Sequence, residues 1–125
     1  MRYDPAVAPD PRKWLEMGEQ ERMTAIRKHH ERAGVRVPSL QGDAIVHTIV
    51  ESQLADRHAA AIRALDRLVE GGLDRHEAIH AVGAVLSRHL FRTMQGETPF
   101  DTAAYDSQLD ELTVEGWRGG VADSD

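Results

Sequence analysis

An all-α fold, a single-domain helical bundle of five or six helices, is what this chain predicts, and three observations predict it. Apolar residues recur at the helical period through most of its length, the runs are opened by capping residues or closed by glycine, and no segment alternates at the two-residue period of a strand.

Taken in order, Asp10 followed by Pro11 gives an N-cap with proline at the first helical position, and Gly18 closes a short helix carrying Trp14, Leu15 and Met17. A second helix is expected from about Glu19 to Ala33, with Met23, Ile26 and His30 on its apolar face and Gly34 as a left-handed stop. Val35 to Gly42, with Pro38 and Gly42, reads as a loop. Asp43 then caps a helix whose Ile45, Val46, Ile49, Val50 and Leu54 form an apolar stripe, with His47 at its edge and Glu51 a little beyond. A bend or break falls near Asp56 to His58, after which Ala60, Ala61, Ile62, Leu65, Leu68 and Val69 continue the pattern to Gly71-Gly72. The longest helix opens at Leu73-Asp74 and runs to about Gln95, with Gly96 as its stop. Thr98 to Asp101 forms a turn or cap, and Tyr105, Leu109 and Leu112 share one face of a last helix ending near Trp117. The helical domain is therefore expected to span residues 1–117, with residues 118–125, rich in glycine and acid, as a flexible tail.

Composition narrows the function. The 125 residues suffice for one core of ordinary size, and 41% hydrophobic with 29% charged residues is the balance of a globular protein. A formal charge of −6 with no compensating basic stripe argues against nucleic acid. No apolar run approaches a membrane span, and Met1-Arg2-Tyr3-Asp4-Pro5 has no apolar signal core, so a cytoplasmic protein without membrane partners is expected. The absence of cysteine excludes disulfides, thiol chemistry and Cys-ligated zinc, which leaves His, Asp and Glu as metal ligands. Two lysines against thirteen arginines suggest a GC-rich bacterial genome.

The chemistry-bearing stretch is His76-Glu77-Ala78-Ile79-His80, which sets two imidazoles one helical turn apart beside a carboxylate. His47 and Glu51 repeat that interval on another helix. These two helices are expected to pack antiparallel around a small polar pocket, offering His47, Glu51, His76 and His80 to one divalent ion such as Zn, Fe, Mn or Ni. At this composition a His-Glu-x-x-His match arises by chance with a probability of roughly 3%, so the motif alone does not establish a site. Glu77 is the candidate general base, but it also stands three residues after Asp74, the spacing of a capping box. A zincin-type protease is disfavoured because Leu86 stands where a third histidine belongs, and a di-iron carboxylate bundle because only Glu77-x-x-His80 supplies the needed pair. No reaction is assigned on these grounds. The competing reading is a helical interaction module, most simply a homodimer, in which the histidines and Gln53 form a buried polar network fixing helix register. His89 is expected in the core with a hydrogen-bond partner, and His29, His30 and His58 at the surface.

The segments His47-Thr48-Ile49-Val50-Glu51-Ser52-Gln53-Leu54-Ala55 and Gly72-Leu73-Asp74-Arg75-His76-Glu77-Ala78-Ile79-His80-Ala81-Val82-Gly83, with Tyr3-Asp4-Pro5 and Trp14-Leu15, resemble a family of small bacterial helical proteins known only as a domain of unknown function. The resemblance extends from about Tyr3 to Trp117 and implies no established activity, substrate or cofactor. The chain departs from the family pattern in having Ser52 where relatives carry Asn, and in lacking a histidine near Asp43; each departure would weaken a metal site.

Overall fold

The computed structural model describes residues 3–33, 40–96 and 99–120, which form seven α-helices and, among the described residues, no strand. These are α1 (Pro11–Glu16), α2 (Glu19–Ala33), α3 (Leu40–Ala55), α4 (Ala59–Glu70), α5 (Arg75–Gly96), α6 (Thr102–Glu111) and α7 (Val114–Gly120). The all-α class is as the periodicity requires, but five or six helices become seven because the last expected helix is two. The contacts divide the chain into two compact units, Met1–His58 and Ala59–Asp125.

In the first unit, the Asp10 carboxylate caps α1 by accepting from the Arg12 backbone N–H at 2.9 Å. The helix ends at Met17 in extended backbone, so the chain turns there without a left-handed Gly18. Trp14, fully buried, packs with Tyr3, Ala25, Ile26 and Ala44, and Met17 and Ala55 close over this core. The expected stop at Gly34 and the loop over 35–39 lie outside the described residues.

Two expectations for α3 change. The helix starts at Leu40, so Gly42 and Asp43 are interior; a helical glycine costs only about 1 kcal/mol, which packing of the following turns can outweigh. Its buried face is also rotated from the apolar stripe: Ala44, His47, Thr48, Val50 and Glu51 are buried, whereas Ile45 is 39% exposed. Polar side chains occupy that face because Glu51, at least, has a buried hydrogen-bond donor, described below.

α3 ends near the break expected at Asp56 to His58. His58 N–H donates to Gln53 C=O at 2.9 Å and Arg57 N–H to Leu54 C=O at 3.1 Å, the paired bonds of a Schellman stop. Its left-handed position is filled by Arg57, at φ 63°, rather than by glycine. In the second unit the same device closes α4: Leu73 N–H donates to Leu68 C=O and Gly72 N–H to Val69 C=O, with Gly72 at φ 112°.

α4 buries Ala60, Ala61, Ala64 and Leu68, a small-residue face that lets α5 and α6 approach, while Val69, assigned to the same stripe by periodicity, is exposed. Asp74 caps α5, accepting from Glu77 N–H at 2.8 Å, and Asp101 caps α6, accepting from Ala104 N–H at 3.1 Å. Tyr105 and Leu109 are the buried side chains of α6. Leu112 is extended, and the Thr113 hydroxyl accepts from Gly116 N–H at 3.0 Å, starting α7 as a separate helix that passes Trp117 to Gly120. Residues 121–125 lie outside the described residues.

On the surface of this unit Arg63 of α4 makes two hydrogen bonds to Asp110 of α6, at 3.1 and 3.0 Å. They hold the Asp110 carboxyl below the usual aspartate range, against a smaller opposing effect of desolvation. Because the folded-state value is the lowered one, this small contribution to stability is present above the ordinary aspartate range and is lost as pH falls through the depressed value.

Two substitutions test these backbone assignments. A Cβ at Gly71 would stand 2.5 Å from Val114 Cγ2 and 3.3 Å from the Arg67 carbonyl, so Gly71→Ala is expected to lower unfolding stability by about 1–3 kcal/mol, read by urea denaturation. Arg57→Gly relieves the left-handed penalty and is expected to raise stability by about 1 kcal/mol in the same assay.

Candidate metal-binding residues

The N-terminal segment and α3 supply one half of the predicted donor set. Asp4 starts a turn, its carboxylate accepting from Ala6 N–H at 3.0 Å while its carbonyl accepts from Val7 N–H at 3.0 Å, and Pro5 is buried beside it. That turn lays Tyr3 into the core, where only 2% of it is exposed. The Tyr3 hydroxyl donates a buried hydrogen bond to Glu51 Oε2. Its ring lies 5.6 Å from Trp14 and 5.7 Å from His47, edge-on to the imidazole, and 6.1 Å from His29. His47 and Glu51, 2% and 1% exposed, sit one turn apart on the buried face of α3.

The same segment is tied to α3 one residue further along. Ser52 Oγ accepts from Trp14 Nε1 at 3.1 Å and from Arg22 Nη1 at 3.0 Å. Arg22 reaches on to the Trp14 and Leu15 carbonyls, at 2.9 and 3.0 Å, satisfying the C-terminal end of α1. Gln53, expected near the middle of a buried face, is half-buried instead, a consequence of the rotation of α3. His29 is half-buried against Tyr3 rather than on the surface, and His58 is half-buried too; the side chain of His30 lies outside the described ones.

α5 supplies the other half. His76 and His80 are half-buried with ring centroids 4.5 Å apart and planes inclined by 63°, so the i, i+4 spacing brings the two imidazoles together as expected. Glu77 points elsewhere: it is exposed, its backbone N–H is capped by Asp74, and its Oε1 accepts from Trp117 Nε1 at 3.2 Å, joining α5 to α7. The expected capping function of Asp74 is present, while the Glu77 side chain reaches α7. His89, 5% exposed, pairs with Gln108 Oε1 at 2.8 Å and packs against Tyr105 and Phe100, the hydrogen-bonded core histidine that the sequence called for.

Tyr3 is the residue that sequence reasoning did not assign to the site. The signal available was Asp4-Pro5, a turn-forming pair that carries the preceding aromatic side chain back toward the helices. Comparison of the chain with protein-family models, with curated proteins and with solved structures finds no match.

Removal of the Ser52 hydroxyl tests the seam that holds this segment. Ser52→Ala deprives a buried indole N–H and an arginine N–H of their shared acceptor, and a loss of about 1–3 kcal/mol in unfolding free energy is expected by chemical denaturation.

Proposed function

We propose that this protein binds one divalent metal ion, with His76 and His80 of α5 as paired imidazole ligands. The observation that carries this reading is that the two imidazoles stand side by side and half-buried on α5, ring centroids 4.5 Å apart. Two histidines one helical turn apart on one face are a recurrent way for a helix to offer two nitrogen donors to a divalent ion. Imidazole donors suit a borderline ion such as Zn, Fe or Ni, with Mn the least favoured because it prefers oxygen donors. Glu77, exposed and bonded to Trp117, has no part in this centre.

A second reading is that of a helical interaction module stiffened by buried polar pairs, and the Tyr3–Glu51 and His89–Gln108 hydrogen bonds support it. The two differ in what they require of an ion. Untagged protein purified without chelator is expected to carry near-stoichiometric metal by elemental analysis, lost in the His76→Ala, His80→Ala double variant. Metal that binds the folded state alone also stabilises it, by about 2.7 kcal/mol at a hundredfold excess over Kd, so chelation is expected to lower Tm in the wild type and not in the variant. Protein that is metal-free and takes up none of Zn, Fe, Mn or Ni would leave the polar-network reading.

A further inference from the structure

We infer that the C-terminal half of α5 is a docking surface for an acidic amphipathic helix of a partner protein, seated on Phe91 and Met94 and held along one edge by Arg88 and Arg92. The surface lies wholly within the second unit, and it stands whether or not His76 and His80 hold an ion.

The large apolar side chains of α5 earlier in the helix, Ile79, Val82, Val85 and Leu86, are buried, whereas Phe91 and Met94 are 61% and 79% exposed. Single exposed apolar residues are ordinary, but these two stand three positions apart on one helix and so form one patch. Phe, Met and Arg are the side chains enriched at protein interfaces.

Spacing identifies the occupant as a helix. Ala84, Ser87, Phe91 and Met94 recur at intervals of three, four and three residues, the alternation of a coiled-coil seam. Ala84 and Ser87 are small and half-buried, so a helix laid along the seam comes close at that end and packs its own large residues beside Phe91 and Met94.

Charge identifies its chemistry. The chain carries 21 acidic residues against 15 lysines and arginines, yet from Ala78 to Gly96 there is no acid at all. Arg88 and Arg92, both exposed, stand one turn apart along one edge of the apolar pair. Cations in this half of a helix favour its dipole, which accounts for the arginines but not for the exposed Phe and Met beside them. An acidic partner complements that edge, whereas a second copy of the chain brings its own Arg88 and Arg92 to the same seam, where like charges oppose. The patch is also small, on the order of a few hundred Å², too little for a stable dimer and suited to a weak, reversible contact.

The probe is a fluorescein-labelled peptide of about three heptads, with leucine at a and d and glutamate at the flanking positions, whose like charges keep it from pairing with itself at neutral pH; a second peptide has lysine in place of glutamate. Fluorescence anisotropy with the full-length chain at low salt is expected to give a Kd of about 100 µM for the glutamate peptide and binding about tenfold weaker or worse for the lysine peptide, with added salt weakening the first. The double variant Phe91→Ser, Met94→Ser is expected to bind the glutamate peptide about tenfold more weakly or worse. The double variant Arg88→Glu, Arg92→Glu is expected to reverse the preference between the peptides. All four positions are solvent-facing, and circular dichroism checks that each variant folds. Failure of the wild type to bind the glutamate peptide, equal binding of the two peptides, or binding indifferent to Phe91→Ser, Met94→Ser overturns the inference. It is equally overturned by a dimer in sedimentation equilibrium that Phe91→Ser, Met94→Ser dissolves, which assigns the surface to a second copy, and by phosphatidylserine vesicles that displace the peptide, which assigns it to a membrane.

Discussion

The first unit is organised around a carboxylate that has been taken out of water. Glu51 is 1% exposed, and an ionised carboxylate in such a place is costly unless donors reach it. The Tyr3 hydroxyl reaches it from 48 positions away in sequence. Closing so long a loop costs little more than closing a short one, since the entropy grows only with the logarithm of length. The demanding part is orientation, and it falls to Trp14 and the Ser52 hydroxyl, which together hold the N-terminal segment against α3. Core packing, helix ends and the candidate ligand His47 in this unit share that arrangement.

Much of the fold was legible because its signals are local. Asp10 and Asp74 cap the helices they were assigned to, Asp101 caps α6 from within the expected turn or cap, and Gly72 takes the left-handed position at the end of α4. The break after α3 was legible from the interruption of its pattern, although the residue that fills the left-handed position there, Arg57, was not. Thr113 was missed because a single hydroxyl with the right neighbours suffices to restart a helix, and nothing in the apolar spacing of Tyr105, Leu109 and Leu112 marks the interruption.

The candidate site was legible in part for a different reason. A one-turn spacing guarantees that His76 and His80 meet, because helical geometry alone sets it. Which side of α3 is buried is not local: Ile45 and Ile49 offer one face, Ala44, His47, Thr48 and Glu51 another, and hydropathy favours the first. The second is buried, and the partner found for Glu51 comes from the N-terminal segment. Periodicity can count apolar residues, but a tertiary hydrogen bond that compensates a polar side chain has no local signature. The engagement of Glu77 with Trp117, 40 residues on, was hidden in the same way.

The contact between Gly71 and Val114 has a consequence for how such a chain can change over generations. The space in which a side chain at 71 would stand is already filled by a β-branched residue of α7, itself stiff and 7% exposed. The two positions therefore behave as one heritable character: room gained at 114 must precede mass gained at 71, and a lineage that enlarges the first without trimming the second must move the start of α7.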